Sequence, residues 1–212
     1  LQTLTDALDS VEQERKGQFI ALTGDAGIGK SRLVWECTKQ ARDRGWLVLE
    51  TAAVPHGRRA FRPLADLLRA YFNVDERVGQ TPVADAIKRR LSELDPTLER
   101  HAFALLDVMR LAVRNDEWRN IEPSQRKART IEAIEELFRF ASRTCPLLLV
   151  VEDLHWVDAQ TEEVLSLLAR ARLSSVLLLI SYRKDYQPKW ENDAGPLEIE
   201  IESLPPSSAG RS

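Results

Sequence analysis

The sequence predicts an α/β fold in which helices cover both faces of a parallel sheet. Short apolar runs, of the kind that parallel strands bury on both faces, occur at 19–23, 147–151 and 176–180. A glycine-rich segment at 24–31 joins the first run to a helical pattern, as a strand-to-helix connection would. The chain has 212 residues, 43% of them hydrophobic, which is enough to bury the core of one large domain.

The glycine-rich connection reads Gly-Asp-Ala-Gly-Ile-Gly-Lys-Ser, a complete G-x-x-x-x-G-K-S phosphate loop. Its glycines permit positive φ and let backbone N–H groups surround an anion beside a helix N-terminus. Lys30 is expected to reach the β- and γ-phosphate oxygens, and Ser31 the Mg²⁺. A turn with a merely solvated lysine is the alternative, which the flanking strand and helix patterns disfavour. The predicted nucleotide-binding residues are Gly24, Asp25, Ala26, Gly27, Ile28, Gly29, Lys30, Ser31 and Arg32.

The apolar run at 147–151 leads directly into Glu152 and Asp153. This is a Walker B pattern, because carboxylates at the C-terminal end of a buried parallel strand emerge where open α/β sheets bind ligands. One carboxylate would hold Mg²⁺, and the other would orient or deprotonate the attacking water. The residues alone leave open which acid does which. We therefore predict Glu152 and Asp153 as catalytic residues and, together with Ser31, as the metal site; an acidic strand-end turn is the alternative.

Three further runs complete the predicted sheet. The run at 176–180 ends in Ser-Tyr-Arg, which places a cation at the nucleotide edge. This Arg183 is a candidate γ-phosphate sensor and the third predicted catalytic residue, with pairing to a surface acid as the alternative. Residues 197–202 alternate between apolar and acidic types, as a half-exposed edge strand does, and 46–51 supplies the remaining strand.

The long stretch from 54 to 145 predicts a helical insertion rather than a simple crossover. Pro63 marks one helix start, and Thr81 with the proline after it marks another. Two more helices are expected near 97–113 and 124–143. Their apolar stripes are typical of core packing, although an insertion beside a nucleotide site is also a surface on which ATP state can be sensed.

Composition excludes several classes of protein. A net charge of −3 argues against a general nucleic-acid binder, so we expect no direct nucleic-acid partner. No apolar run reaches half the length of a membrane span, and no N-terminal signal pattern is visible, so we expect a cytoplasmic chain without a membrane partner. The helix-like opening at 4–11 lacks an initiating methionine, and 205–212 is typical of a linker or an artificial end. We expect a fragment of a longer protein, with a single domain at 1–204.

Three segments resemble the STAND ATPases: Gly-Asp-Ala-Gly-Ile-Gly-Lys-Ser-Arg-Leu-Val at 24–34, Glu-Asp-Leu-His-Trp-Val-Asp at 152–158, and Ser-Tyr-Arg at 181–183. More narrowly, the chain is similar to AAA-type ATPase modules fused behind class III adenylate cyclase domains or in front of LuxR-type DNA-binding domains. The resemblance covers about residues 17–204. Shorter matches to the cyclase-associated branch lie at 56–57, 61–64 and 182–190.

The resemblance implies a P-loop NTPase fold of the additional-strand class, a three-layer α/β/α sandwich whose five parallel strands have the order 5-1-4-3-2. The strand before Arg183 would then lie between the phosphate-loop and Walker B strands. It also implies a signalling switch in which ATP binding, with slow hydrolysis to ADP and phosphate, toggles inactive and active or oligomeric forms. ATP and Mg²⁺ are the implied cofactors, and the implied partners are neighbouring domains and further copies of the chain. The family places an aspartate where this chain has Glu152.

Two other functions use the same loop. A small-molecule kinase would need an acceptor-binding lid, for which Arg58, Arg59 and Arg126 are available. A non-hydrolysing scaffold would use ATP only to hold the fold open for a partner.

His155 and Trp156 follow the two acids of the Walker B pattern. We expect Trp156 to be a packing anchor, and we place neither residue in the catalytic set.

Overall fold

A five-stranded parallel sheet forms the centre of the computed structural model, which describes residues 1–55, 60–74, 80–111, 113, 115–190 and 195–202. Within these residues the strand order is β2-β3-β4-β1-β5, which is the predicted order 5-1-4-3-2 counted from the opposite edge. The predicted linker at 205–212 lies outside the described residues. The strands are β1 (Gln18–Thr23), β2 (Leu47–Ala52), β3 (Leu147–Glu152), β4 (Val176–Tyr182) and β5 (Leu197–Glu200).

The register of the strands brings their C-terminal ends to one edge of the sheet. Thr23 at the end of β1 pairs with Tyr182 at the end of β4, and Ala52 of β2 pairs with Glu152 of β3. β4 therefore lies between the strand that precedes the glycine-rich loop and the strand that ends in Glu152. This confirms the predicted position of the strand that leads to Arg183.

One face of the sheet carries α1 (Gln2–Glu14) and α2 (Lys30–Asp43). Side chains alternate between the two faces of a strand, so every second residue of β1, β3 and β4 points toward these helices. Val11 and Val34 of the helices pack there with Ile20 and Leu148 of the sheet, and all four are buried. The helix that follows the phosphate loop is thus anchored directly on the strands that carry the site.

The opposite face carries the predicted insertion and the helix after β3. Its helices are α3 (Arg62–Phe72), α4 (Gln80–Leu94), α5 (Ala102–Val108), α6 (Asp116–Asn120), α7 (Pro123–Thr144) and α8 (Ala159–Ala171). Leu67, Leu106 and Phe138 of the insertion share one buried cluster with Leu149 and Ile180 of the sheet. The apolar stripes of the insertion are therefore core, as the sequence predicts. None of the helices in the described part of the chain is long and apolar enough to cross a membrane.

Helix boundaries inside the insertion differ from the prediction at two places. Thr81 lies inside the first turn of α4 and does not precede it. The single helix expected at 97–113 is instead a 3₁₀ helix at Pro96–His101 followed by the short α5. Asp95 caps the 3₁₀ helix by accepting a hydrogen bond from the backbone N–H of Thr97, 2.8 Å away. Arg110 has a left-handed backbone with φ 56°, and this conformation ends the helical path.

Phe138→Ala tests whether the insertion and the sheet share one core. Phe138 is fully buried, so the substitution should lower the free energy of unfolding by about 3–5 kcal/mol, measured by urea denaturation. Leu197→Ala is the control, because Leu197 is 54% exposed, and should change it by about 0.5 kcal/mol or less. Two separate unfolding transitions, with only one of them shifted, would contradict a shared core.

Candidate nucleotide-binding site

The loop between β1 and α2 has the backbone that a phosphate loop requires. Gly27 and Gly29 have φ values of 76° and 106°, which side chains other than glycine rarely adopt. A Cβ atom built at either position would meet nothing within 4 Å, so the loop borders open space. Asp25 and Ala26 are exposed at its tip, and α2 begins directly after Gly29. The N-terminus of α2 therefore lies beside that space, where the N–H of Arg32 already donates to the carbonyl oxygen of Gly29 at 3.1 Å.

Lys30 stabilises the loop from within. Its ammonium nitrogen donates hydrogen bonds to the carbonyl oxygens of Gly24 and Asp25, both at 2.8 Å, and the residue is only 8% exposed. An ammonium group has three donors, so one remains for an anion in the loop. Arg32, the last predicted binding residue, is exposed in the first turn of α2.

Ser31 joins the loop to the acidic end of β3. Its hydroxyl donates a hydrogen bond of 2.7 Å to Oε2 of Glu152, across 121 positions of sequence. Hydroxyl and carboxylate oxygens are ligands that Mg²⁺ prefers. The residues present thus fit a Mg²⁺ ion and a polyphosphate, and the contact favours Glu152 over Asp153 as the metal-side acid.

The backbone conformation of Asp153 and a hydrogen bond of its N–H hold this residue at the end of β3. It has a left-handed conformation with φ 56°, which aspartate tolerates better than most residues. Its N–H donates to the hydroxyl of Ser181 at 3.2 Å, and Ser181 is 1% exposed at the end of β4. The sequence prediction treated Ser181 only as a polar group at the edge of the sheet. The available signal was a hydroxyl at the end of an otherwise apolar buried strand.

Arg183 lies exposed, one residue beyond β4, at the same sheet edge. No ion pair joins Arg183 to another residue within the described ranges. Its positive charge helps to lower the pKa of His155, which places the two groups within electrostatic reach of each other. A role for Arg183 in sensing the γ-phosphate stays a prediction.

The turn after Asp153 is a 3₁₀ helix at Leu154–Trp156. Leu154 is fully buried, whereas Trp156 is 39% exposed, so the expectation that Trp156 is the packing anchor is wrong. Leu154 takes that place. The imidazole of His155 lies 5.1 Å from the Trp156 ring and 6.5 Å from the Tyr186 ring, measured between centroids.

Burial lowers the pKa of His155 below its ordinary value, and the positive charges of Arg183 and Lys30 lower it further. The carboxylates of Asp153 and Asp185 oppose that shift. The imidazole is therefore within electrostatic reach of the loop lysine and of the second acid. The sequence prediction left His155 outside the catalytic set, because the segment Leu-His-Trp carries no chemistry that its residue types alone specify.

Asp158, the last acid of the motif, is a helix cap. Its Oδ1 accepts hydrogen bonds from the N–H groups of Gln160 and Thr161, at 3.1 and 3.0 Å. Its Oδ2 accepts from the N–H of Phe61 at 3.2 Å. The turn that carries the site is thereby bonded to the residue that precedes α3 of the insertion.

The cations that a kinase lid would need are engaged elsewhere or not described. Arg126 donates to the carbonyl oxygens of Trp118 and Arg119, at 3.2 and 2.8 Å. Arg58 and Arg59 lie outside the described residues.

Fold and site together define a phosphate-loop nucleotide-binding protein with a Walker B strand. A family model described as AAA ATPase domain matches residues 1–180, and the chain belongs to this family.

The chain is similar to a protein that is described as uncharacterized. The chain is 28% identical over 193 residues to "Uncharacterized protein R02095" of Rhizobium meliloti (strain 1021), a match that covers 89% of this chain and 18% of that protein. The chain therefore spans less than a fifth of the relative's length.

Among solved structures, the fold is similar to a chain of "Structure of Drosophila ORC bound to DNA", with a TM-score of 0.47 and 15% identity over 97% of this chain and 94% of that one. It is also similar to the Aeropyrum pernix ORC1 protein in complex with DNA, with a TM-score of 0.42 and 16% identity over 95% of this chain and 44% of that one.

Asp158→Ala should lower the free energy of unfolding by about 1–2 kcal/mol, because it removes the cap of α8 and the bond to Phe61. Asp158→Asn is the matched control: asparagine caps helices about as well as aspartate, so at least half of that stability should remain. Thermal unfolding of both variants measures the difference. An Asn variant as unstable as the Ala variant would show that the charge or the bond to Phe61, and not the cap of α8, provides the stability.

Proposed function

We propose that this chain is a regulatory module of a larger signalling protein, which binds Mg·ATP and hydrolyses it slowly. The observation that supports this most directly is the hydrogen bond from Ser31 to Glu152. A phosphate loop alone indicates binding of a phosphorylated ligand. A hydroxyl and a carboxylate in contact beside the loop add a site for a divalent cation, and the neighbouring Asp153 adds a second acid.

Binding of the nucleotide uses groups of the loop and of α2. The N–H groups around Gly27 and Gly29, with those of the first turn of α2, donate to phosphate oxygens. Lys30 holds the loop with two donors and offers its third to the same oxygens. The chemistry that Mg²⁺ supplies when bound is neutralisation of the phosphate charge, and Ser31 and Glu152 are the residues that would hold it.

Hydrolysis requires a water molecule positioned against the terminal phosphate. We assign Asp153 to orient this water and accept its proton, because it lies directly beyond Glu152 at the same sheet edge. The hydrogen bond to Ser181 holds the backbone of Asp153 against β4. Glu152 and Asp153 then have separate tasks, one toward the metal and one toward the water.

A ligand shifts the equilibrium between two conformations only if it binds one of them more tightly than the other. The regulatory role therefore requires contacts that form with the terminal phosphate of ATP and are absent with ADP. Asp158 joins the site turn to Phe61 at the start of α3, so a movement of the turn is passed to the insertion. The resemblance to cyclase-associated and LuxR-type modules supports a signalling output. The match to a small part of a much longer relative supports neighbouring domains as the partners.

Lys30→Ala should weaken Mg·ATP binding about 10- to 100-fold, the value of a lost charge-assisted hydrogen bond. Calorimetric titration of Mg·ATP into the purified chain measures this. Lys39→Ala is the control, because Lys39 lies on the same helix and packs over Trp35. Its affinity for Mg·ATP should stay within about twofold of the unaltered chain, since it makes no phosphate contact.

Asp153→Asn should bind Mg·ATP as the unaltered chain does and release phosphate about 10²-fold more slowly, because the amide cannot accept the proton. A coupled phosphate-release assay measures the rate. Tight ATP binding without any turnover by the unaltered chain would favour the scaffold alternative. Absence of ATP binding by the unaltered chain would contradict the proposed function.

A further inference from the structure

His155 is the one described residue with two orphaned polar atoms. Both ring nitrogens are shielded from solvent, and neither has a hydrogen-bond partner among the described residues. Buried polar groups are nearly always paired, and an imidazole carries at least one N–H in every protonation state. In the part of the chain that the structure describes, this ring therefore has a donor or acceptor without a hydrogen-bond partner.

The place of this ring suggests what its partner is. The turn at Leu154–Trp156 directly follows the strand that ends in Glu152, and the imidazole lies in the field of Lys30 and Asp153. Lys30 belongs to the phosphate loop, and Asp153 is the acid assigned to the attacking water. The ring thus lies within electrostatic reach of both the phosphate loop and the second acid.

We propose that His155 binds the terminal phosphate of ATP through an imidazole N–H. The inference rests on the proposed function and adds to it the residue that distinguishes ATP from ADP. In the empty and ADP-bound forms the ring stays unpaired, and only the triphosphate supplies its partner. The contact is therefore differential, as a switch requires.

The shielding of the nitrogens couples this contact to movement. A phosphate oxygen reaches the imidazole only if the turn shifts, and the turn leads directly to Asp158, which is bonded to Phe61. Trp156 is exposed and lies 5.1 Å from the His155 ring between centroids, so its side chain moves with the turn. The same step that pairs His155 with phosphate thus displaces the start of the insertion.

The test is His155→Phe, which keeps a planar ring and removes both nitrogens. Calorimetric titration should show the Kd for Mg·ATPγS raised about 10-fold and the Kd for Mg·ADP within about twofold of the unaltered chain. Without nucleotide, the variant should unfold at the same or a higher temperature, because an unpaired polar group has been removed. His155→Gln, which retains a donor, should restore part of the ATPγS affinity.

Trp156→Phe is the control in the same turn and should leave both affinities within about twofold of the unaltered chain, since Trp156 contributes no phosphate contact. Equal weakening of ATPγS and ADP in His155→Phe, or no weakening of either, overturns the inference alone. A lower unfolding temperature of the nucleotide-free variant also overturns it, because the ring would then have a structural partner. Failure of the unaltered chain to bind either nucleotide overturns the proposed function and this inference together.

Discussion

The parallel pairing of β4 with β1 on one side and β3 on the other is the constraint on which the site depends. It separates the phosphate loop from Glu152 by two strand spacings, roughly 10 Å. Ser31, in the first turn of α2, spans that gap to the carboxylate. The buried hydroxyl of Ser181, at the end of the intervening strand β4, accepts a hydrogen bond from the backbone N–H of Asp153 and so holds that residue between the two strands. A different strand order would leave each motif intact and take them out of contact.

The helices of the insertion pack into the same hydrophobic core as the sheet that carries the site. These helices bury Leu106 and Phe138 in one cluster with Leu149 of the sheet, so they cannot move freely over the core. Among the described residues, the hydrogen bond between Asp158 and Phe61 links the insertion to the turn that carries the site. Packing resists large movement, while a single hydrogen bond near the nucleotide can form or break. The proposed response to ATP requires this combination.

Sequence patterns predicted the elements whose signals are local. The strands at β1, β3 and β4 are continuous apolar runs, and the loop between β1 and α2 contains glycines where positive φ occurs, as at Gly29. The path from 95 to 120 was predicted poorly, because its breaks have weak signals. Asp95 follows the end of one helix and caps the next. Arg110 adopts a left-handed backbone, although left-handed positions are usually occupied by glycine, so the sequence gives no signal for this break.

The sequence by itself determined that a phosphate loop, a Walker B strand and a helical insertion are present, since each follows from short-range spacing of residue types. Only the tertiary structure decided that Glu152 contacts Ser31, that Ser181 anchors Asp153, and that the ring of His155 has no partner among the described residues. The physical reason is that these relations join residues from different strands and turns. They arise from the pairing of β1, β3 and β4, and no local pattern of residues encodes that pairing.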